Sequence, residues 1–164
     1  MLDEFDRVAL LALIKDLHAA SRDNQAFLAA RLGLGFDPLE PYKKTIARWI
    51  APDFTKGQDI SVAKAKKAIA DYRKAIGRPE GLGELLVFFC EEAIGQLLAC
   101  GVDDEGYHVS LVRMFERAIV SVGDLPEIHR QSRLQRLDVL RRKAKSVGWG
   151  VKEAFDESWH DAAP

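Results

Sequence analysis

At 164 residues, 48% hydrophobic and 30% charged with only six prolines, the chain has the composition of a soluble globular protein rather than a disordered one. A chain of this length buries about 70% of the surface its unfolded form exposes, so it holds a core of its own and fits one domain, residues 1–164. Its formal net charge of −1 conceals a segregation described below.

The opening run "MLDEFDRVALLALIKDLHAA" is apolar but short, preceded by acids and interrupted by Lys15 and Asp16. A signal peptide needs a basic start and a small-residue cleavage site, and a membrane span needs about 20 apolar residues. The run therefore reads as an amphipathic core helix from about Asp3 to Ala20, with neither targeting segment nor membrane contact expected. A second helix follows Ser21 or Asp23 and stops at Gly33, since a glycine just past the last periodic residue is a common helix stop. The stretch "GLGFDPLEP" reads as a loop, and Tyr42 to Ile50 as a third helix ended by Pro52. A fourth helix follows Ser61 or Asp59 as N-cap and ends at Gly77.

The fifth helix, residues 80–100, contains the run "LLVFFC", which a buried strand would also tolerate. Leu82, Leu85, Phe89, Ala93 and Leu97 keep a helical period through and beyond that run, so it reads as a helix apolar on most sides, at the centre of the domain. The sixth, Asp104 to Val122, places Tyr107, Leu111, Met114, Phe115, Ala118, Ile119 and Val122 on one face. The seventh, Pro126 to Val147, carries a core stripe of Leu134, Leu137, Leu140, Ala144 and Val147. Arg136, Arg141, Lys143 and Lys145 lie along its flanks, where long basic side chains lie over apolar neighbours. A short tail helix closes the chain within residues 150–164. Cys90 and Cys100 fall ten residues apart on the fifth helix, about 15 Å by helical rise, too far to bridge. Both read as small core residues in a reducing cytoplasm.

Charge runs in blocks. Residues 1–41 hold four basic and seven acidic groups, 42–78 ten and three, 79–127 two and ten, 128–152 eight and one, and the tail none and four. Two basic blocks flank an acidic one, which in space means either a bipolar surface or helices that neutralise one another.

The run "SVAKAKKAIADYRKAIGRPEGLGELLVFFCE" with "DDEGYHVSLVRMFERAI" resembles an uncharacterised family of short all-helical bacterial proteins. The resemblance spans residues 61–119 and implies a bacterial origin and a helical fold; no activity comes with it. Successive helix pairs are similar in layout to helical-hairpin repeat proteins, although no sequence period marks repeats.

On the fourth helix Val62, Ala65, Ile69, Tyr72 and Ile76 form the buried stripe, with Lys64, Lys67, Lys74 and Arg78 roughly opposite. A solvated face is the commoner meaning of such a run. Asp71 supports it, four residues after Lys67 and three before Lys74, where exposed pairs contribute about 0.3–0.5 kcal/mol each. Lys64 in the first turn opposes the helix dipole, which favours another use. For a nucleic-acid partner the third helix adds Lys43, Lys44 and Arg48, with Trp49 or Tyr42 to stack. No zinc-finger spacing, RNP-type motif or GxxG clamp accompanies these residues.

Two Glu-x-x-His pairs, Glu105 with His108 and Glu157 with His160, have the spacing used by carboxylate-bridged di-iron bundles. Glu105 sits in a first turn and His160 near the chain end, so surface histidines at helix ends are the competing reading. No Walker-type loop, Gly-x-Ser-x-Gly elbow or Cys-x-x-Cys pair occurs, and "GLG" at 33–35 lacks a preceding strand.

The expected fold is all-α, a single domain of seven to eight helices in helical-hairpin layout around the central apolar helix. The expected role is a non-catalytic protein-interaction module of a bacterial cytoplasmic protein, without cofactor, using segregated charge to recognise a protein partner or itself. The alternative is a nucleic-acid-binding protein using the basic face of helices 42–50 and 61–78. A helical-bundle metalloenzyme stands third.

Overall fold

The computed structural model describes residues 5–32 and 37–162, and every described element is helical. Helix α1 (Arg7–Ala20) starts where the Asp6 carboxylate accepts the Ala9 N–H at 2.7 Å, satisfying one of the donors a helix start leaves open. The Ser21 hydroxyl caps α2 (Arg22–Leu32) through the Asn24 N–H. Asn24 Nδ2 donates back to the Leu17 carbonyl at 2.7 Å, fixing α1 and α2 as a hairpin. Helix α3 (Glu40–Ile50) begins two residues earlier than its period predicts, because Pro41 sits in the first turn, where its missing N–H costs nothing. Ser61 caps α4 (Val62–Ala75), and Gly77 follows it at φ +64°. The predicted stop at Gly33 and the "GLG" at 33–35 lie outside the described residues.

Helix α5 (Pro79–Cys100) is the axis of the core, with Leu85, Val87, Phe89, Cys90 and Ala93 fully buried. Around it pack α3, α4, α6 (Glu105–Gly123) and α7 (Glu127–Lys143). All seven residues predicted for the inner face of α6 are buried. The last predicted turn of α7 tightens into a 3-10 turn, Ala144–Ser146. Helix α8 (Val151–Ala162) returns onto α6, where Phe155 stacks on Phe115 with ring centroids 3.6 Å apart. That return is made by three consecutive left-handed residues, Gly148, Trp149 and Gly150, at φ +81°, +54° and +68°. The Tyr107 hydroxyl donates to the Ile50 carbonyl at 2.9 Å, tying α6 to the end of α3. Among the described residues, no helix is long and apolar enough to cross a membrane.

Three expectations are corrected. Helix α1 is not a core helix: none of its residues is buried, because among the described residues only α2 packs substantially against it. Its amphipathic pattern demands a cover without specifying who supplies it. Cys100 is exposed in the last turn of α5, whereas Cys90 is buried as expected, and both are free thiols. Arg136 and Arg141 are more than flanking cations, since each binds two carboxylates, while Arg141 also lies over the Trp159 ring as expected, 5.4 Å from its centre.

Candidate interaction surfaces

The seven predicted basic residues divide by what their side chains meet. Lys43 turns inward, its Nζ bonding Glu84 of α5 at 3.0 Å with both side chains largely buried. Lys44 is exposed and pairs with Glu40 one turn back. Lys67 bonds Asp71 at 2.6 Å and lies 3.8 Å from Asp23 of α2. Arg48 donates weakly to the Asp59 carbonyl at 3.4 Å. Its guanidinium lies 4.3 Å from the centre of the Trp49 ring, and Lys64 Nζ lies over the same ring at 3.7 Å. Lys74 and Arg78 are exposed, the latter at the start of α5 without a capping bond from its side chain.

A groove of about 520 Å³ between α2, α3 and α4 gathers Lys64, Lys67 and Lys74 beside Trp49, together with Asp23 and Asp71. Two carboxylates among three ammonium groups leave little net attraction for a phosphate chain. Trp49 is already engaged by two cations, each contact worth about 0.5–1 kcal/mol at an exposed site, so a stacking base would have to displace one. Tyr42 offers no stacking face: it is buried, edge-on to Tyr72 at 5.4 Å.

The acidic and basic blocks meet across α5 and α7. Arg136 bonds Glu84 through Nη1 at 2.7 Å and Glu91 through Nη2 at 2.6 Å. Arg133 Nε lies 3.3 Å from Glu84, buried and without a hydrogen bond of its own, while its Nη1 donates to the His129 carbonyl. Burial pushes the Glu84 carboxyl up, but bonds from Arg136 and Lys43 outweigh it and leave it below its ordinary range. Glu92, half-buried beside Glu91, is pushed up by burial and by that neighbouring carboxylate. The charge blocks of these two helices therefore neutralise one another in the interior more than they build a bipolar surface. Sequence separations of 41 to 52 residues hid these pairs from local reading.

The metal candidates do not converge on a centre. Among the described residues no three His, Cys, Asp or Glu side chains gather to hold an ion. Glu105 and Glu157 are exposed. His160 Nδ1 donates to the Asp156 carbonyl at 2.6 Å. His108 is buried, not a surface histidine: its Nδ1 donates to the Asp104 carbonyl at 2.7 Å and its ring stacks on Trp149, centroids 5.1 Å apart. Burial and a carbonyl partner suit a histidine that holds the α7–α8 corner in place.

The surface that local reading missed is α1. Val8 is 75% exposed, Leu11 48% and Leu17 47%, with Phe5, Leu13 and Ile14 also open to solvent. A folded chain rarely leaves so many large apolar side chains adjacent and uncovered. The signal is present in the sequence as amphipathicity, which marks an apolar face without saying what covers it. No family model, curated protein or solved structure matches this chain.

Proposed function

We propose that the chain is a non-catalytic helical interaction module, of a bacterial cytoplasmic protein, that binds through its N-terminal hairpin. One observation carries this reading: α1 is among the most apolar helices of the chain and buries none of its residues. Covering that face gives an associating protein its hydrophobic gain. The surface charges left after α5 and α7 have neutralised each other orient the partner rather than attract it. The free thiols Cys90 and Cys100 fit a reducing compartment.

The test is a photo-crosslinking side chain placed at Leu11 in the expressed protein, with a control at Ile128, which is exposed on α7. A discrete protein adduct from position 11 and none from position 128 is the expected outcome. Absence of any adduct at position 11 would remove the reading.

A second reading, nucleic-acid binding, rests on the gathering of Lys64, Lys67 and Lys74 beside Trp49 in one groove. Its mark would be affinity that falls steeply with salt.

A further inference from the structure

Lys66 of α4 is half-buried and reaches across to α6, where its Nζ donates to the Ser110 hydroxyl at 3.1 Å. Arg113 and Arg117 follow Ser110 on α6, both exposed. At 100° per residue they lie within about 60° of Ser110, about 4.5 and 10.5 Å along the axis. Two guanidiniums therefore rise beside the ammonium group on one face. Arg117 Nη1 has the Met114 sulfur, a weak acceptor, at 3.7 Å.

No acid answers these three cations. Lys43, Arg133, Arg136 and Arg141 also enter helix contacts, and each finds a carboxylate within 4 Å. Among the described residues none stands within 4.0 Å of Lys66, Arg113 or Arg117. Burial, Arg113 and Arg117 all push the Lys66 amine below its ordinary range, and nothing pushes it back. Glu116, beside Arg117 in sequence, lies about 120° round α6 from Ser110. There it lines, with Arg113 and Trp149, a separate cavity toward α8. Like charges gathered round a half-buried ammonium group disfavour its charged form, a cost that a bound anion removes.

The donor set suits a phosphate group. Two planar guanidiniums, an ammonium and a hydroxyl offer charge-assisted bonds to a tetrahedral oxyanion. A carboxylate brings one charge and two oxygens to three cations, whereas a phosphate ester brings three oxygens and nearly two charges. A nucleic-acid strand fits less well, because it needs cations in a row along its backbone. Lys64, Lys67 and Lys74 of the groove beside Trp49 all lie at least about 80° round α4 from Lys66, so the two basic sites do not form one track.

We propose that Lys66, Ser110, Arg113 and Arg117 form a binding site for a phosphate group carried by a small molecule. The site is independent of what covers α1.

The test is protection of lysines from acetic anhydride, mapped by mass spectrometry on the full chain, with pyrophosphate compared against sodium chloride of equal ionic strength. Saturating pyrophosphate is expected to slow acetylation of Lys66 at least about fivefold, as occupancy of one site requires. Exposed Lys44, outside the cluster, is expected to react as before. In thermal melts pyrophosphate should raise the Tm of the wild type and not that of Lys66→Met or Arg117→Gln, whose circular dichroism should match wild type. No protection of Lys66 at millimolar pyrophosphate, equal protection of Lys44, or an undiminished Tm rise in Arg117→Gln overturns the proposal. Stronger protection of Lys66 by a thymidine oligonucleotide than by pyrophosphate, at equal phosphate concentration, would make the ligand a strand and overturn it too.

Discussion

A Cβ placed on Gly81 of α5 would lie 1.9 Å from the Tyr72 hydroxyl of α4, well inside the contact distance of any two nonbonded atoms. The absence of a side chain at Gly81 is what lets Tyr72 seat between the helices. Glycine inside a helix ordinarily costs stability relative to alanine, by about 1 kcal/mol. At Gly81 the sign reverses: Gly81→Ala is expected to destabilise by about 2–3 kcal/mol through overpacking against a buried ring. Gly95, in the same helix, has nothing within 4 Å of its would-be Cβ, so Gly95→Ala is expected to stabilise by about 0.5–1 kcal/mol. Urea melts of the two variants check the pair, and equal signs would refute the packing described here.

The Glu84 carboxyl titrates below its ordinary 4.5 because bonds from Arg136 and Lys43 overcome the opposing effect of burial. The folded chain therefore holds this proton less tightly than the unfolded one. Its stabilising contribution is complete above pH 4.5 and is lost as pH falls through the lower folded value. Glu84→Gln is expected to cost about 2–3 kcal/mol at neutral pH, leaving buried cations short of a partner. The difference from wild type should shrink in melts below pH 4. A penalty independent of pH would show that Glu84 acts through its shape alone.

Glu92 has the opposite sign. Burial and the neighbouring Glu91 raise its pKa, so the folded chain binds that proton more tightly than the unfolded one. The resulting cost is absent in acid and grows as pH rises from 4.5 through the raised folded value. Glu92→Gln is expected to raise Tm by about 2 °C at pH 7 and to leave it unchanged in acid. Thermal melts at the two pH values decide it; a lower Tm at pH 7 would mean that Glu92 is fully paired.

The basic groove discriminates between the two functional readings. Fluorescence anisotropy with single- and double-stranded oligonucleotides is expected to show no micromolar binding at physiological salt. The triple variant Lys64→Glu, Lys67→Glu, Lys74→Glu should behave as wild type in the α1 crosslinking assay. Nucleic-acid binding through three phosphate contacts would instead give a log–log salt slope of about −3. That slope, lost in the triple variant, would replace the leading reading.

What the sequence made legible follows the range of each interaction. Period and caps are local, so α6 was readable residue by residue and "LLVFFC" resolved into helix α5. Asp71 beside Lys67 was also legible, being one turn away. Lys43 and Lys44 are neighbours of the same type, yet one is bound to Glu84, 41 positions on, and the other stands in solvent. Nothing in their local spacing separates them, because the distinction is made by helix packing. For α1 the pattern was read correctly as an apolar face, and the error lay in supposing that the cover must come from this chain's own core.

The clasp between Tyr107 and the last carbonyl of α3 has a consequence in time. Ile50's carbonyl loses its partner if α3 unwinds from that end, and the hydroxyl that serves it is buried against α5, 3.4 Å from the Ala93 carbonyl. Opening α3 there thus disturbs α6 and α5 together, and amides in these three helices should exchange with solvent through one shared, rare event. Helix α1, with no buried residue, exchanges through its own frequent openings. The chain keeps two clocks, a slow one shared by the packed helices and a fast one for α1.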